Sequence, residues 1–280
     1  MNVKVLGTAA SEGIPAMFCS CDVCTGARSL KGKDLRSRSQ FLINDDVLVD
    51  FGDDTYCHSL DYGVNLSKVK YLLITHYHVD HYNPLNFRYR GHYYTNKMDE
   101  PVMYVYSPPN VQVMYNDCEI RPEVRANIQF IKTSEFTPVK ADPYVIYPML
   151  APHLREAEAG LGIKCFIYVL EKAGKRVLFG TDSGYYSDEI FDYLKNMRLD
   201  LVFLDCTHGQ KSKGLKNPHM GLPENMMIKE KFLQNGTADK NTIFVSTHFS
   251  HNSGGLHDEL SKIAEQHGFL IAFDGMQFKI

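Results

Sequence analysis

The sequence lacks the features that mark membrane, secreted and nucleic-acid-binding proteins. No apolar run in the 280 residues approaches the roughly 20 that a membrane-spanning helix needs, so no membrane partner is expected. The first residues show no charged segment followed by an apolar one, and without such a secretory signal we expect a cytoplasmic protein. The net charge is −3 and there is no basic tail, which argues against a nucleic-acid partner.

Internal repeats, low-complexity tracts and proline-rich linkers are also missing, so we predict one domain over residues 1–280. Hydrophobic residues make up 44% of the chain, which is enough for a full core. Runs rich in Val, Ile, Leu, Phe and Tyr indicate strands from residues 2–7 to 276–280. Helices are expected at residues 187–197, 222–236 and 255–268. This order favours a layered α/β sandwich with functional residues in loops at one edge of the sheets.

Cysteine is not used in the pattern of a disulfide-bonded protein. Seven cysteines, an odd number, occur without a secretory signal, which argues against a disulfide framework. Four are scattered and are interpreted as buried, reduced thiols: Cys57, Cys118, Cys165 and Cys206. Cys19, Cys21 and Cys24 form a C-x-C-x-x-C loop at residues 18–25, and three thiolates at this spacing favour a zinc ion with four ligands. The spacing does not decide which residue is the fourth ligand, and the candidates are His251, Cys57 and Cys206.

The densest group of ligand-type side chains follows the aliphatic run at residues 69–74. His76, His78, Asp80 and His81 form an H-x-H-x-D-H element. Side chains of an extended chain repeat every two residues, so His76 and His78 share one side, and a turn then brings Asp80 and His81 to a neighbouring position. Imidazole and carboxylate groups suit Zn, Mn or Fe. The element therefore predicts two adjacent metal sites.

Further ligands are expected where other β-rich runs end. His153, Asp182 and His248 each follow such a run. Thr181 and Ser183 flank Asp182 and can orient its carboxylate through hydrogen bonds. Taken singly, Asp182 could be a turn residue and the two histidines hydrogen-bonded core residues. Taken with the first cluster, they complete two ligand sets, in which the carboxylate of Asp182 can bridge two cations.

The elements THYHVDH, APH, GTDSG, STHFSH and FDGM resemble the metallo-β-lactamase superfamily of metal-dependent hydrolases, over essentially the whole chain. The resemblance implies an α/β fold, the four-layer αββα sandwich, with a two-metal site between the sheet edges. The implied ligands are His76, His78, His153 and Asp182 for one metal, and Asp80, His81, His248 and the shared Asp182 for the other.

The opening GTAASEGIPAMFCSCDVC is similar to that of one branch, the PhnP phosphodiesterases that hydrolyse phosphoribosyl cyclic phosphate, and LDCTH and NPHMGL match this branch as well. In the branch, the fourth ligand of the cysteine cluster is the histidine three residues after the last catalytic one, which corresponds to His251. The resemblance thus implies two catalytic Mn²⁺ or Zn²⁺ ions, one structural Zn²⁺ and a homodimer.

The expected function is a binuclear phosphoric diester hydrolase, in which a two-metal-bound hydroxide attacks a small cyclic or nucleotide-like phosphodiester. The leaving alkoxide needs a proton, and the resemblance assigns this role to His219, with Asp80 counted as catalytic as well as a ligand. A thioester, lactone or other carbon-ester hydrolase stays open, as does a PqqB-like cofactor-biosynthesis protein, because one metal core serves several chemistries. A tRNA 3′-end nuclease would need a long Gly- and Pro-rich arm or a basic groove, and the sequence shows neither.

Substrate contacts are expected from residues around the metals. Arg88 and Arg90 lie in the long Tyr- and Arg-rich segment 82–100 and are candidates to bind substrate phosphate or sugar. His208 is expected at the substrate site, where it supports the site through a hydrogen bond. Segments 82–100 and 154–162 are both expected to rim the site.

Overall fold

The computed structural model describes residues 1–153 and 160–280. The strands within these ranges are β1 (Asn2–Gly7), β2 (Gln40–Ile43), β3 (Val47–Val49), β4 (Tyr71–Leu73), β5 (Met103–Tyr106), β6 (Ile128–Ile131), β7 (Val139–Ala141), β8 (Tyr144–Leu150), β9 (Phe166–Lys172), β10 (Lys175–Gly180), β11 (Leu201–Asp205), β12 (Ile243–Thr247), β13 (Leu270–Ile271) and β14 (Gln277–Lys279). The α-helices are α1 (Asp22–Leu30), α2 (Thr55–Asp61), α3 (Pro109–Asp117), α4 (Pro122–Arg125), α5 (Asp188–Leu194), α6 (Leu222–Gln234) and α7 (His257–Gln266). Short 3-10 helices span Gly32–Asp34, Leu66–Lys68, Pro84–Arg90 and His251–Ser253.

Two mixed sheets contain these strands. The first has the order β14-β1-β2-β3-β4-β5-β6 and is parallel from β3 to β6. The second has the order β13-β12-β11-β10-β9-β8-β7 and is parallel from β10 to β13. Parallel neighbouring strands end at the same edge of their sheet. The residues that follow β3 and β4 therefore lie at one edge of the first sheet, and those that follow β10, β11 and β12 lie at one edge of the second.

The space between the sheets is filled by side chains that alternate along each strand. In β11, Leu201 and Phe203 belong to the core between the sheets, whereas Val202 and Leu204 belong to the core on the outer face. This alternation is the two-residue period of a strand. The ring of Phe203 lies 4.8 Å from that of Phe41 in the opposite sheet.

Helices cover the outer face of each sheet. Apolar residues of α5, α6 and α7 pack on the second sheet, and those of α3, α4 and the 3-10 helix Pro84–Arg90 pack on the first. The order of layers is therefore helix, sheet, sheet, helix, which confirms the predicted αββα sandwich. No helix in residues 1–153 or 160–280 is both long and apolar enough to cross a membrane.

Some local predictions from sequence differ from the structure. The short elements α1 to α4 and β7 were not predicted, because each offers only one or two turns, or three residues, of periodic pattern. Cys165 and Cys206 are buried as expected, but Cys57 is exposed and Cys118 is half-buried. Helix α2 turns Thr55 and His58 inward, which leaves Cys57 on its outer face.

Replacing Phe203 with Ala is expected to lower the free energy of unfolding by about 3–5 kcal/mol, because a cavity would form between the sheets. Phe18 is 97% exposed, and Phe18→Ala is a same-type control that should change stability by less than about 0.5 kcal/mol. Urea unfolding of both variants makes the comparison. Equal losses would mean that packing at Phe203 does not hold the sheets together.

Candidate metal centre

The predicted ligands and a further carboxylate, Asp50, come together at the edge where strands of both sheets end. Asp50 follows β3, Asp182 follows β10 and His248 follows β12. All three have positive φ angles, +67°, +51° and +63°, a region that non-glycine residues seldom occupy. Such strained backbone is concentrated at functional sites, where the surrounding structure holds it in place.

The structure places the side chains in two groups that could each hold a metal ion. The first group is His76, His78, His153 and Asp182, and the second is Asp80, His81, Asp182 and His248. Within each group the ligand atoms all lie within 4.8 Å of one another. These are the two sets expected from the sequence, and Asp182 is common to both.

The carboxylate of Asp182 is the centre of this arrangement. Its Oδ2 lies 3.1 Å from Nε2 of His76 and 3.2 Å from Nε2 of His81. Its Oδ1 lies 3.2 Å from Nδ1 of His153. Burial alone would raise the pKa of Asp182, but the imidazoles of His153 and His248 outweigh burial and hold the pKa well below its ordinary value. The group is therefore a carboxylate.

Several buried polar atoms in the cluster have no hydrogen-bond partner among the described residues. They include Nε2 of His81, Oδ1 of Asp182 and Nε2 of His248. Leaving such atoms unsatisfied costs free energy, whereas divalent cations bound in the cluster would satisfy them. Imidazole nitrogens and carboxylate oxygens are donors that divalent transition metals accept. The residues present therefore fit divalent metal ions.

A carboxylate from the first sheet holds the histidine of the second group. Oδ2 of Asp50 lies 2.6 Å from Nδ1 of His81, and Oδ1 accepts hydrogen bonds from the backbone N–H and the hydroxyl of Thr75. A carboxylate on Nδ1 leaves Nε2 of the imidazole for a metal and fixes the orientation of the ring.

A carboxylate from the second sheet, that of Asp205, holds the ring of His248 and also contacts His219. Oδ2 of Asp205 lies 3.2 Å from Nδ1 of His248 and 3.1 Å from Nδ1 of His219. Burial lowers the pKa of His219, but Asp205 and then Asp182 outweigh burial and raise the pKa to about 9. The two carboxylates thus favour the protonated form of the His219 imidazole.

A cavity of about 830 Å³ opens at this cluster. His78, Asp80, His153, Asp182 and His248 line it, together with His208 and His219. Nε2 of His208 lies 2.9 Å from the side-chain oxygen of Asn217, so His208 is both at the cavity and held by a side-chain contact.

Arg88 and Arg90 are not among the described residues that line this cavity, and neither is any other residue of segment 82–100. Nε of Arg88 donates to the carbonyl of Glu119, and Nη2 of Arg90 donates to the carbonyl of Glu100. The 3-10 helix Pro84–Arg90 packs on the outer face of the first sheet, which turns both arginines away from the expected position. The other expected rim, 154–162, lies largely outside the described residues.

A second cluster of ligand-type residues joins the cysteine loop to the segment after β12. Atoms of Cys19, Cys21, Cys24 and His251 lie within 4.8 Å of one another, so His251 is at the position that the spacing alone left open. Cys206 instead contacts the carbonyl of Gly209. The loop is shorter than expected, because α1 begins at Asp22 and carries Cys24.

The environment of the thiols favours metal binding. Nδ1 of His251 lies 3.4 Å from Sγ of Cys21, and this contact lowers the pKa of the Cys21 thiol to about 6. Burial raises the pKa of the Cys24 thiol to about 11. A zinc ion binds the thiolate form, so its positive charge would compensate for the desolvation of Cys24.

Comparison with known proteins agrees with this geometry. The sequence model of the β-lactamase superfamily domain matches residues 47–240. The chain belongs to this superfamily. The match contains His76 to Asp182 but neither His248 nor the cysteine cluster, which therefore lie beyond the part that the family model describes. Among curated proteins, none matches the sequence.

Solved structures share the β-lactamase fold along the whole chain. A diphosphatase from the PhnP family has 21% identity and a TM-score of 0.72, with 100% of this chain and 97% of that chain covered. Zinc-bound PqqB from Methylobacterium extorquens has 15% identity and a TM-score of 0.72, with full coverage of both chains. The short form of human tRNase Z has 15% identity and a TM-score of 0.61, with 100% and 99% covered. At these identities the similarity shows a common fold.

Sequence reasoning missed the two supporting carboxylates, Asp50 and Asp205. Each stands at or directly after the end of a buried strand, which is the same signal that identified Asp182. Neither lies beside a histidine in the sequence, so their contacts with His81 and His248 depend on strand order in the sheets.

Asp182→Ala is expected to lose most of the divalent metal bound at the histidines, because both ligand groups contain this carboxylate. Metal per chain, measured by plasma mass spectrometry after dialysis, tests the expectation. Asp188→Ala is the matched control, since the Asp188 side chain is 91% exposed on α5. Wild-type metal content in Asp182→Ala would contradict the shared-ligand assignment.

Cys21→Ser is expected to release one zinc ion while the metals at the histidines stay bound, because the two clusters have no ligand in common. The same measurement of zinc per chain applies. Cys57→Ser, which changes an exposed thiol outside the cluster, should retain all metal. An unchanged zinc content in Cys21→Ser would exclude a structural zinc site here.

Proposed function

We propose that this β-lactamase superfamily protein is a metal-dependent phosphodiesterase that cleaves a small cyclic or nucleotide-like phosphodiester. Two divalent ions, Mn²⁺ or Zn²⁺, would be held by the two histidine-rich groups, and one structural Zn²⁺ by the cysteine cluster. The proposal rests on the pairing of Asp205 with His219, which lines the cavity together with residues of both ligand groups.

The pairing matters because a phosphodiester has a poor leaving group. An alkoxide leaves readily only if it receives a proton as the bond breaks. Asp205 occupies Nδ1 of His219 and favours the protonated ring, so Nε2 is the nitrogen that can donate to the leaving oxygen. His219 is 24% exposed, which leaves it accessible from the cavity.

The metals would supply Lewis-acid activation of water and neutralise charge on the phosphoryl oxygens. The protein supplies the arrangement. Asp50 and Asp205 fix the rings of His81 and His248, and Asp182 joins the two ligand groups. Preorganised groups of this kind need no rearrangement when charge develops in the transition state.

The described cavity lining favours a small substrate. The described residues that line it include no lysine or arginine, so histidines are the only side chains among them that can be positively charged. A nucleic-acid strand would present many phosphates, which proteins usually neutralise with Lys and Arg. One phosphodiester group, in contrast, carries a single negative charge that the metals and His219 can balance.

One structural neighbour supports phosphate chemistry, because it is a diphosphatase of the PhnP family. Another, with the same TM-score, is PqqB. Asp205 and His219 favour the hydrolytic assignment, because a proton donor next to two ligand groups serves bond cleavage directly.

The deciding experiment compares hydrolysis of bis(p-nitrophenyl) phosphate, a five-membered cyclic ribose phosphate, a thioester and a lactone, each with Mn²⁺ and with Zn²⁺. Wild-type protein is expected to cleave the diesters, and Asp182→Ala should not. Thioester or lactone turnover without diester cleavage would move the protein to carbon-ester hydrolysis. No turnover with metals bound would favour the PqqB-like alternative.

His219→Ala should lower turnover of the cyclic phosphate by roughly 10²–10⁴-fold, the usual contribution of a general acid, while metal content stays at the wild-type level. His219 also lies in a group with Asp182, Asp205 and His248 that could hold a metal. Loss of metal from the variant would therefore make His219 a ligand. His267→Ala, on the C-terminal side of α7, is the control and should keep both activity and metal.

A further inference from the structure

A second cavity, of about 610 Å³, lies against the outer face of the first sheet. It has no lining residue in common with the cavity at the metal centre. Its floor includes Leu48, Val69 and Met103, which belong to the core on that face. The volume is within the roughly 300–1,000 Å³ that small-molecule sites occupy.

The walls of this second cavity are unusually aromatic for exposed surface. Tyr56, Tyr89 and Tyr94 line it and are 70%, 61% and 64% exposed. The rings of Tyr89 and Tyr94 meet edge to face, with centroids 5.3 Å apart. Exposed aromatic side chains gathered around a hollow mark a binding surface, because they offer flat apolar area to a ligand.

One wall contains a cation without a counter-ion. Nη2 of Arg90 donates to the carbonyls of Glu100 and Pro101, but its Nε is buried and has no hydrogen-bond partner among the described residues. Burial lowers the pKa of the guanidinium, and no described acidic side chain offsets this effect. A partly buried cation without an acidic partner is costly, and an anion beside it would reduce the cost.

The carboxylate in the described lining does not serve as that anion. Asp53 accepts a hydrogen bond of 2.6 Å from the side-chain amide of Asn83. It is also absent from the groups that affect the pKa of Arg90. The described lining thus combines the positive charge of Arg90 with the flat apolar rings of the tyrosines.

We propose that this cavity is a second binding site, which takes a small aromatic anion with its ring against Tyr89 and Tyr94 and its anionic group on Arg90. The site is independent of the proposed phosphodiesterase activity. A planar ring matches the aromatic walls, and a carboxylate or phosphate matches the positive charge of the guanidinium.

The site borders the support of the metal centre. Phe51 lines the second cavity, and its backbone N–H donates to the carbonyl of His81 at 2.7 Å. Asn86 also lines the cavity and donates to the carbonyl of Gly52. A ligand in the cavity would contact the segment that holds a candidate metal ligand while staying outside the reaction space.

The test uses 1-naphthoate as the probe and isothermal titration calorimetry on the metal-loaded protein. Wild type is expected to bind 1-naphthoate saturably and to bind the neutral 1-naphthamide at least about tenfold more weakly, because the charge-assisted contact is lost. No saturable binding, or equal binding of the amide, would overturn the proposal.

Two arginines of one segment make a matched pair. Arg90→Gln is expected to weaken 1-naphthoate binding by about tenfold or more, whereas Arg88→Gln should stay within about twofold of wild type. Arg88 is exposed and does not line the cavity. The metal centre can itself bind a carboxylate, but such binding would be equally strong in Arg90→Gln and Arg88→Gln. Equal affinity of the two variants for 1-naphthoate would therefore refute the second site.

Further variants separate loss of charge from disturbance of the loop. Arg90→Lys keeps the charge and should bind more tightly than Arg90→Gln; equal weakening of the two would refute a charge-based site.

Tyr94→Ala removes a wall and should weaken binding several-fold. Tyr93→Ala is its control, because Tyr93 packs against His92 and Arg121 instead. Equal effects of the two tyrosine variants would also contradict the proposal.

Discussion

A single buried carboxylate organises the edge at which the two sheets meet. Asp182 has imidazoles at 3.1–3.2 Å from four directions and a fifth at 3.9 Å: His76, His81, His153, His219 and His248. These rings come from both sheets and from the loops between strands. Without a negative charge at this point, five imidazoles would meet with no counter-charge in common. The two candidate ligand groups and the proposed proton donor, His219, all contain or contact this carboxylate.

Around Asp182, the two sheets contribute in the same way. Each provides one strand-end carboxylate, Asp50 or Asp205, that fixes a histidine through Nδ1. The sheets are also tied by backbone at this edge, where the N–H of Phe166 donates to the carbonyl of Thr75 at 2.8 Å. The sandwich therefore acts as a rigid frame, and the relative position of the ligand groups follows from the packing of its core.

Short-range pattern was enough to predict most strands, the layered fold and the candidate ligands, because buried runs, their ends and the H-x-H-x-D-H spacing are local features, whereas the division of these residues into two ligand sets came from the family resemblance. What the sequence did not reveal depends on three-dimensional order. Asp50 and Asp205 meet their histidines only through strand pairing. Arg88 and Arg90 were expected at the metals, but the helical turn that begins at Pro84 carries them to another face. Sequence position therefore predicted where residues at strand ends lie, but it did not predict where residues of the long connection 82–100 lie.

The segment from His248 to His251 places a residue of each candidate metal-binding cluster within four positions of the chain. Its length is thus fixed at both ends, and it works as a spacer between two anchor points. An insertion or deletion here would detach one cluster from the other, although single substitutions at the intervening Phe249 and Ser250 would keep the span. Variation in chain length should therefore be tolerated in other loops of this protein far better than in this one.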